Sequence, residues 1–377
     1  MTELQPNERT ITAGRNVLAE GNREAPVVGD LGGEDELWDW FLQSTPLGSF
    51  QQSSLWGRVK ARERWTPFRS VVRADGRLVG GYQWLERKGR LGRIAYVSKG
   101  PVVERESASD VALVLDDLLR HARARRVTAL VLQPPDVSVI GDELLKPRGF
   151  VVEDLMKVIT STLVVDLTGG IERVESGIRK STRVEIRQAR RRGACVRVGG
   201  VSDATRFFEL MASTCVRQGV SPNPPSPDAV REILESFGAR GCVRLTFAEC
   251  EGEWVAGILA LLFGSKIYIW KKGWNGKHGR LYPNALLYQE SFEWACSQGY
   301  REVDFMGLDR RTAEALLGGQ ALSGDALQSR DQFHLGFGGQ PRLLPSSYLW
   351  IANPAVRLVF KFLIERSWGR RWLKKLV

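Results

Sequence analysis

The chain has 377 residues and a formal net charge of +11, with 43% hydrophobic and 26% charged residues. This length favours two domains of about 150–180 residues each, and the composition excludes collagen-like, low-complexity and wholly disordered proteins. The longest apolar run, Val255–Phe263, is far shorter than the ~20 residues that a membrane helix needs. The N-terminus lacks the basic start and apolar stretch of a secretory signal, so we expect a cytoplasmic protein.

The charge is spread unevenly along the chain. Residues 1–40 hold nine acidic and three basic side chains, which leaves a net charge of +17 for the remainder. A body this basic suits a polyanionic partner such as RNA, a nucleotide-linked substrate or an anionic membrane face, although an arginine-rich proteome would give the same bias. The five cysteines form no CxxC or Cys/His pattern, so neither a metal site nor a disulfide framework is indicated.

A first mixed α/β unit follows residues 1–33, whose Gly-, Asn- and Glu-rich composition predicts a flexible tail. Apolar residues at helical spacing predict one helix around Trp38 and a second over Ser109–Ala124. Asp75-Gly76, between two β-rich runs, indicates a hairpin. The predicted strands of this unit cover residues 70–74, 78–85, 93–97 and 127–132.

A second unit repeats the order of the first. A predicted helix from Asp203 to Met211 precedes a meander, and a helix over Asn284–Cys296, with Asn284 as its cap, precedes the last strand. The predicted strands cover residues 243–248, 254–263, 266–270 and 302–306. Corresponding landmarks of the two units lie 169 to 176 residues apart, which favours an internal duplication over a chance likeness between two α/β units. We therefore predict two tandem domains of mixed α/β architecture.

The last part of the chain carries two further patterns. A short strand is predicted over Gln332–Phe337, before Gly338-Gly339, and the chain beyond Pro354 has the pattern of a basic helix. From Arg357 to Val377 there are seven bases and one acid, interleaved with aromatic residues. Such a segment suits peripheral contact with an anionic membrane face, and it equally suits an ordinary helix packed on the body.

Several short segments, in this order and spacing, carry a resemblance to a known family. They are Phe50–Lys60 (FQQSSLWGRVK), Lys99–Val102 (KGPV), Lys180–Ala189, Tyr282–Leu287 (YPNALL), Asp304–Gly307 (DFMG) and Phe333–Gly339 (FHLGFGG). Over roughly residues 36–345 the chain resembles the FemABX family, the aminoacyl-tRNA-dependent transferases that build peptidoglycan bridges. The resemblance implies an α/β fold of two tandem acetyltransferase-like (GNAT) domains, over residues 34–154 and 155–325, with residues 326–377 packing on the first.

The same resemblance implies roles for single residues. Lys60 matches a family lysine that contacts precursor phosphates, and Trp56 belongs to the same block. Arg217 resembles an arginine on the precursor-binding side, and Tyr268 is a further candidate contact because its strand could line a substrate cleft. The family has a lysine, thought to stabilise an oxyanion, where this chain has His334. As a candidate catalytic residue, His334 either donates a hydrogen bond in place of that lysine or marks a changed acceptor and chemistry.

The implied reaction moves an aminoacyl group from a tRNA ester to an amine. An ester is already activated, so the protein must align the reactants, remove a proton and stabilise an oxyanion. Asp304, at the end of an apolar strand, could orient or deprotonate the amine, or could satisfy backbone donors of the following loop. Basic residues suit the phosphates and single-stranded end of a tRNA, although a solvated helix would show the same pattern. The candidate tRNA contacts are Arg179, Lys180, Arg183, Arg187, Lys271 and Lys272.

We therefore expect a FemABX-like aminoacyltransferase, with charged tRNA and a UDP- or lipid-linked peptidoglycan precursor as partners and no cofactor. The sequence also allows an acyl-CoA-dependent N-acyltransferase, but it offers only near misses to the [QR]-x-x-G-x-[GA] loop whose amides would cradle the CoA phosphates. It is further compatible with tRNA-dependent peptide-bond formation in a natural-product pathway, and with a non-catalytic protein that binds RNA or a membrane.

Overall fold

Two seven-stranded sheets, each flanked by helices, organise the chain. The computed structural model describes residues 33–89, 92–154, 156, 158–322, 324, 330–364 and 366. Apart from Gly33, the tail predicted over residues 1–33 lies outside the described residues. None of the helices in these ranges is long and apolar enough to cross a bilayer.

The predicted helices and meander strands appear in the predicted order, among further elements that were not predicted. The helices of the described ranges are α1 (Glu34–Ser44), α2 (Ser54–Arg62), α3 (Ala108–Ala124), α4 (Asp142–Leu145), α5 (Gly170–Gly177), α6 (Lys180–Arg191), α7 (Ala204–Arg217), α8 (Pro227–Gly238), α9 (Pro283–Ser297), α10 (Arg310–Leu317), α11 (Arg330–Leu335) and α12 (Pro354–Ile364). The strands are β1 (Thr66–Ala74), β2 (Arg77–Gly89), β3 (Gly92–Ser98), β4 (Val102–Val103), β5 (Val127–Gln133), β6 (Phe150–Glu153), β7 (Ser161–Asp166), β8 (Cys195–Gly199), β9 (Val243–Cys250), β10 (Glu253–Phe263), β11 (Lys266–Trp274), β12 (Glu302–Asp304), β13 (Gln340–Leu343) and β14 (Ser347–Ile351).

The two sheets have the same strand pattern. The first has the order β1-β2-β3-β5-β14-β6, with β4 paired to β2, and the second β8-β9-β10-β11-β12-β7-β13. Only β3/β5 in the first and β11/β12 in the second are parallel. The first sheet therefore runs through three antiparallel strands, a parallel partner and two further antiparallel strands, and the second has the same order with one additional antiparallel strand, β8, at its edge. This shared pattern confirms the prediction of two tandem domains of mixed α/β fold.

The chain returns to the first sheet later than predicted. Residues 326–377 are predicted to pack on the first domain as a unit, but β13 pairs with β7 at the edge of the second sheet. The chain crosses back with β14, which inserts between β5 and β6, and α12 packs on the same sheet through Phe360. The boundary at 326 is therefore wrong, because β7 needs β13 as its outer partner before the chain leaves.

Two local predictions near the end of the second domain are also wrong. Residues 332–337 fall within and just after α11 rather than in a strand. The apolar residues Phe333, Leu335 and Phe337 alternate in sequence, but the helical turn brings Phe333 and Phe337 together around Tyr288, at 5.6 and 4.9 Å between ring centroids. Helix α9 is capped by Tyr282 in a left-handed conformation, with Pro283 as its first residue, and not by Asn284.

The two domains share a continuous apolar core. On β10, alternate side chains face opposite sides of the second sheet: Leu259 and Leu261 join a cluster with residues of the first domain, whereas Ile258 and Leu262 pack beneath α9. Phe50 closes the contact between the domains, because its ring meets that of Tyr268 at 5.0 Å. The domains are thus packed against one another rather than joined by a linker alone.

Candidate active site

A cleft of about 290 Å³ lies between the two domains, beyond the ends of both parallel strand pairs. In the first domain β3 and β5 stay paired up to Ser98 and Gln133, and in the second β11 and β12 stay paired up to Tyr268 and Asp304. Strands that separate after such a pair leave a gap that side chains of the following loops can line. We call this gap the first cavity.

Aromatic rings form one wall of the first cavity. Trp56, on α2, meets Phe50 edge-on at 5.3 Å and Trp270 at 5.9 Å. Tyr268 lines the same wall but is only 3% exposed, and burial raises the pKa of its hydroxyl well above the ordinary value. The structure therefore brings the predicted residues Trp56 and Tyr268 together, with Tyr268 contributing shape more than an ionisable group.

Asp304 is the buried carboxylate of the first cavity. Burial raises its pKa to about 6, against hydrogen bonds that favour the charged form. Its Oδ1 accepts hydrogen bonds from the Thr162 hydroxyl at 2.5 Å and from the Met306 amide at 2.7 Å. The expectation that Asp304 satisfies backbone donors of the loop is thus met by Oδ1. Among the described residues no hydrogen bond to Oδ2 is found, and the Asp304 side chain is part of the lining of the first cavity.

An ion pair between Lys99 and Asp136 also lines the first cavity, at 2.5 Å between Nζ and Oδ1. Lys99 has a left-handed backbone (φ 55°) directly before the cis Gly100-Pro101 bond, and Asp136 follows Pro134-Pro135. In the sequence Lys99 stands out only as part of the KGPV segment, and Asp136 does not stand out at all. Their pairing joins two loops, so no local pattern could have indicated it.

A second cavity, of about 250 Å³, opens on the other side of Trp270 and Met306. It belongs to the second domain alone and is lined by α7, the loop after it, β11, the chain after β12, and His334 of α11. Trp270 and Met306 line both cavities. A molecule in one cavity can therefore meet a molecule in the other at these two residues.

A β-bulge decides which way the two lysines of β11 point. In the pairing of β10 with β11, Leu261 faces Tyr268 but Leu259 faces Lys271, so β11 carries an extra residue. A bulge reverses the alternation of side chains. Lys271 consequently lies on the side of α2, with its ammonium 4.8 Å from the Trp270 ring, and Lys272 points towards α9 and α11.

Lys272, His334 and Tyr288 form a buried polar cluster in the wall of the second cavity. The Lys272 ammonium lies 2.5 Å from His334 Nε2 and 3.1 Å from the Tyr288 hydroxyl. His334 and Tyr288 are each 1% exposed. The sequence predicts His334 at the chemistry and Lys272 on the tRNA surface, whereas the structure places both together.

Lys60 and Lys271 form a pair of cations beside the aromatic wall. The Lys60 ammonium lies 4.6 Å from the Trp56 ring centroid and 2.7 Å from Glu63. Burial lowers the pKa of Lys271, and the positive charge of Lys60 lowers it further. Lys60 lines neither cavity, but it stands next to Trp56, which lines the first cavity.

Arg217 lies outside both cavity linings, although precursor binding is predicted for it. Its guanidinium stacks 5.1 Å from the Trp274 ring centroid and donates to the Trp274 carbonyl at 2.5 Å and the Thr214 hydroxyl at 3.2 Å. These contacts hold the end of β11 against α7. The structure thus gives Arg217 a supporting place near the second cavity rather than a place in it.

Four of the predicted tRNA contacts lie on or beside one exposed face. Lys180, Arg183 and Arg187 project to solvent from α6, while Thr182, Ile186 and Ala189 face the core. Arg179, just before the helix, is also exposed. Within the described ranges, Lys180, Arg183 and Arg187 make no ion pair, whereas Arg190 binds Glu290 and Glu293. Lys271 and Lys272 lie in the second cavity instead.

Gln52 positions the first cavity from behind. Its amide donates to the carbonyls of Gln83 and Ser98, and its Oε1 accepts from the Gln83 amide, so it bridges β2 and β3. The side chain is completely buried, and in the sequence it stands out only as part of the FQQSSLWGRVK segment.

We expect Gln52→Leu to lower the free energy of unfolding by about 3 kcal/mol, because it leaves buried polar groups of β2 and β3 without partners at about 1–3 kcal/mol each. Gln51→Leu is the matched control, since Gln51 is partly exposed and should cost less than about 1 kcal/mol. Urea unfolding of both variants measures the difference. Equal midpoints would contradict the bridging role.

The described residues hold no cluster that fits a metal ion. Among them, no group of three or more His, Cys, Asp and Glu side chains is placed to hold one. The five cysteines are free thiols, and burial raises the pKa of the Cys242 thiol to about 11.

Comparison with known proteins agrees with this arrangement. The FemAB family model matches residues 34–143, and the acetyltransferase (GNAT) domain model matches residues 176–315. The Staphylococcus aureus protein named lipid II:glycine glycyltransferase is 26% identical over 193 residues, which cover 48% of this chain and 46% of that protein. The chain thus matches just under half the length of this curated relative.

Two solved structures show the same fold. A crystal structure of FemX has a TM-score of 0.75 at 18% identity, covering 87% of this chain and 98% of that one. A conserved protein of unknown function from Bacteroides thetaiotaomicron has a TM-score of 0.50 at 10% identity, covering 78% of this chain and 89% of that one. The fold and the paired cavities define a protein with two acetyltransferase-like domains in tandem. Within that class, the chain is similar to the FemAB family over residues 34–143 of its first domain.

Proposed function

We propose that this protein is an aminoacyltransferase, which moves an amino acid from charged tRNA to an amine of a lipid- or UDP-linked peptidoglycan precursor. One observation carries the proposal. Two cavities, one between the domains and one in the second domain, meet at Trp270 and Met306, with a buried carboxylate on one side and a cation on the other. The name of the Staphylococcus aureus relative, lipid II:glycine glycyltransferase, supports the lipid-linked substrate class.

In the proposed mechanism the acceptor amine enters through the first cavity and the aminoacyl ester through the second. The amine nitrogen bonds to the ester carbonyl carbon, and Asp304 Oδ2 takes the proton that the amine loses. The carbon–oxygen bond to the tRNA ribose then breaks, and the proton passes to the released ribose hydroxyl. The amide is formed without an enzyme-bound intermediate, because the ester is already activated.

Lys60 and Lys271 are the proposed contacts for the precursor phosphates. Both ammonium groups stand beside the rings of Trp56 and Trp270, which line the first cavity, and Lys271 itself lines the second. Burial, and after it the positive charge of Lys60, lowers the pKa of Lys271, so a positive charge at Lys271 lacks a compensating anion. A diphosphate placed between the two lysines would supply that anion, which suits a nucleotide- or lipid-linked precursor.

The proposed tRNA surface is the basic face of α6. Its three exposed bases Lys180, Arg183 and Arg187 follow helical spacing, so they present a line of positive charge to one phosphate backbone. We expect the triple change to Gln at these positions to weaken tRNA binding at least 10-fold near 150 mM salt and to reduce the salt dependence by about three charges.

The control for that experiment is a triple change to Gln at Arg87, Lys88 and Arg105, exposed bases of the first domain. It alters the net charge by the same amount. Filter binding or fluorescence anisotropy across a salt series compares the two. If both triple variants lose tRNA affinity equally, binding follows overall charge and the α6 surface is not specific.

The function itself is tested by transfer in vitro. Purified protein is mixed with labelled, charged bulk tRNA and either UDP-linked muramyl pentapeptide or its lipid-linked form, with and without RNase. RNase-sensitive labelling of a precursor is the expected result, and the labelled amino acid identifies the donor. Labelling from acyl-CoA but not from tRNA would instead establish an acyl-CoA-dependent N-acyltransferase, a function that the acetyltransferase domain match also supports.

A lipid-linked precursor would place the protein at the inner membrane face, and α12 is the proposed contact. Leu358, Val359 and Phe362 are 70%, 58% and 48% exposed and lie on one side of the helix. Arg366 stands over the Phe362 ring at 3.9 Å, and the sequence onward to Val377 is basic and contains Trp368 and Trp372. An apolar stripe beside clustered bases suits an anionic bilayer surface.

A further inference from the structure

Lys272 occupies an unusual place for a strand lysine. The bulge in β11 turns its side chain away from solvent towards α9 and α11, where its ammonium contacts His334 Nε2 and the Tyr288 hydroxyl. Four rings surround this point: those of Tyr288, Phe305, Phe333 and Phe337 pack around each other at 4.9 to 6.1 Å, with His334 among them. The position of the ammonium is therefore fixed by packed, buried groups.

Lys272 and His334 lie close enough to share one positive charge. Two cations 2.5 Å apart in a poorly hydrated cluster would repel strongly, which favours a single charge on the pair. An ammonium can donate to a neutral imidazole at Nε2, and also to the Tyr288 hydroxyl oxygen. The cluster thus keeps one cation in the wall of the second cavity, held by two buried acceptors.

We infer that Lys272 supplies the cation that stabilises the oxyanion during acyl transfer, and that His334 positions it. The inference rests on the proposed function, in which the second cavity receives the aminoacyl ester. The Lys272 ammonium reaches this cavity from β11, whereas the resemblance implies a lysine on α11, at the position of His334. His334 then serves as a hydrogen-bond acceptor rather than as the charged group itself.

The test compares kcat and KM for charged tRNA in five proteins: the natural chain, Lys272→Met, Lys272→Arg, the exchange variant that combines Lys272→Met with His334→Lys, and Lys277→Met as a control. Lys277 lies in the exposed loop after β11, so Lys277→Met is the same substitution of lysine by methionine outside the cluster. We expect Lys272→Met to lower kcat about 100-fold, as loss of one oxyanion donor does, with KM changed less than about 3-fold. Lys277→Met should keep kcat within about 2-fold.

The exchange variant distinguishes charge supply from packing. It returns a cation to the cluster from the α11 side, so its kcat should be at least 10-fold above that of Lys272→Met. The kcat of Lys272→Arg should also be higher than that of Lys272→Met. If Lys272→Met folds and keeps the kcat of the natural chain, the inference about Lys272 is overturned but the proposed function is not. The inference is also overturned if neither the exchange variant nor Lys272→Arg has a higher kcat than Lys272→Met. This outcome counts when the thermal midpoints of both variants stay within a few degrees of that of the natural chain. A natural chain that transfers from no donor overturns the proposed function, and this assignment with it.

Discussion

Asp304→Asn is expected to lower the rate of aminoacyl transfer by about 100- to 10,000-fold, the range for losing a positioned general base. The amide keeps an oxygen for the Thr162 hydroxyl and the Met306 amide, so the turn between the cavities should survive. What it loses is the group that can take a proton from the acceptor amine. Single-turnover transfer from charged tRNA measures the effect, and natural rates in the variant would rule out Asp304 as the base.

The pH profile gives a second check on Asp304. Because burial raises its pKa to about 6, the natural chain should gain kcat/KM as the pH rises through about 6 and then level off. Asp304→Asn should remove that step and leave a flat residual rate. A step that persists unchanged in the variant belongs to another group and would contradict the assignment.

Stability provides the control that separates chemistry from folding. The folded chain binds the Asp304 proton more tightly than the unfolded chain, so this group stabilises the fold most when protonated, below its ordinary pKa of 3.8. That stabilisation, about 3 kcal/mol, is lost as the pH rises through about 6. At pH 7 Asp304→Asn should therefore be at least as stable as the natural chain, which urea unfolding can show.

The order of the helices and strands could be predicted from sequence because each pattern is local. Asp75-Gly76 and Glu251-Gly252 both adopt left-handed turns, and the meanders and helices around them appear twice in the predicted order. The alternation of Phe333, Leu335 and Phe337 misled the prediction, because packing around Tyr288 favours a helical turn there. Local patterns therefore identified the two meanders and the helices beside them, whereas strands such as β6, β7, β8, β13 and β14 were not predicted.

The site was predicted only in part, because the directions of the side chains on β11 depend on its pairing with another strand. The predicted strand ended at Trp270, whereas β11 continues to Trp274 and contains a bulge. Adjacent residues of a strand point to opposite sides, and the bulge decides that Lys271 faces α2 whereas Lys272 faces α9 and α11. Both lysines line the second cavity. A bulge depends on the partner strand, and a sequence pattern along one strand cannot show it.

Replacing Leu358, Val359 and Phe362 by Ser is expected to weaken binding to anionic vesicles about 100-fold. Each of these side chains is roughly half or more exposed in the protein alone, and transferring such apolar surface out of water contributes up to about 1.5–3 kcal/mol per residue. Sedimentation with vesicles of mixed phosphatidylglycerol and phosphatidylcholine, in the absence of precursor, measures the partition directly. Pure phosphatidylcholine vesicles should bind the natural chain more weakly, because the bases of residues 357–377 then lose their partner.

The matched control replaces Leu113, Val198 and Leu317 by Ser, three apolar residues that are 46%, 64% and 55% exposed on α3, β8 and α10. It removes similar apolar surface away from α12 and should leave vesicle binding within about 2-fold of the natural chain. Equal losses in both triple variants would mean that vesicle binding is unspecific. If the natural chain does not bind anionic vesicles, another molecule, or another part of this chain, covers the apolar stripe of α12. A lipid-linked precursor would then have to reach the first cavity without this contact.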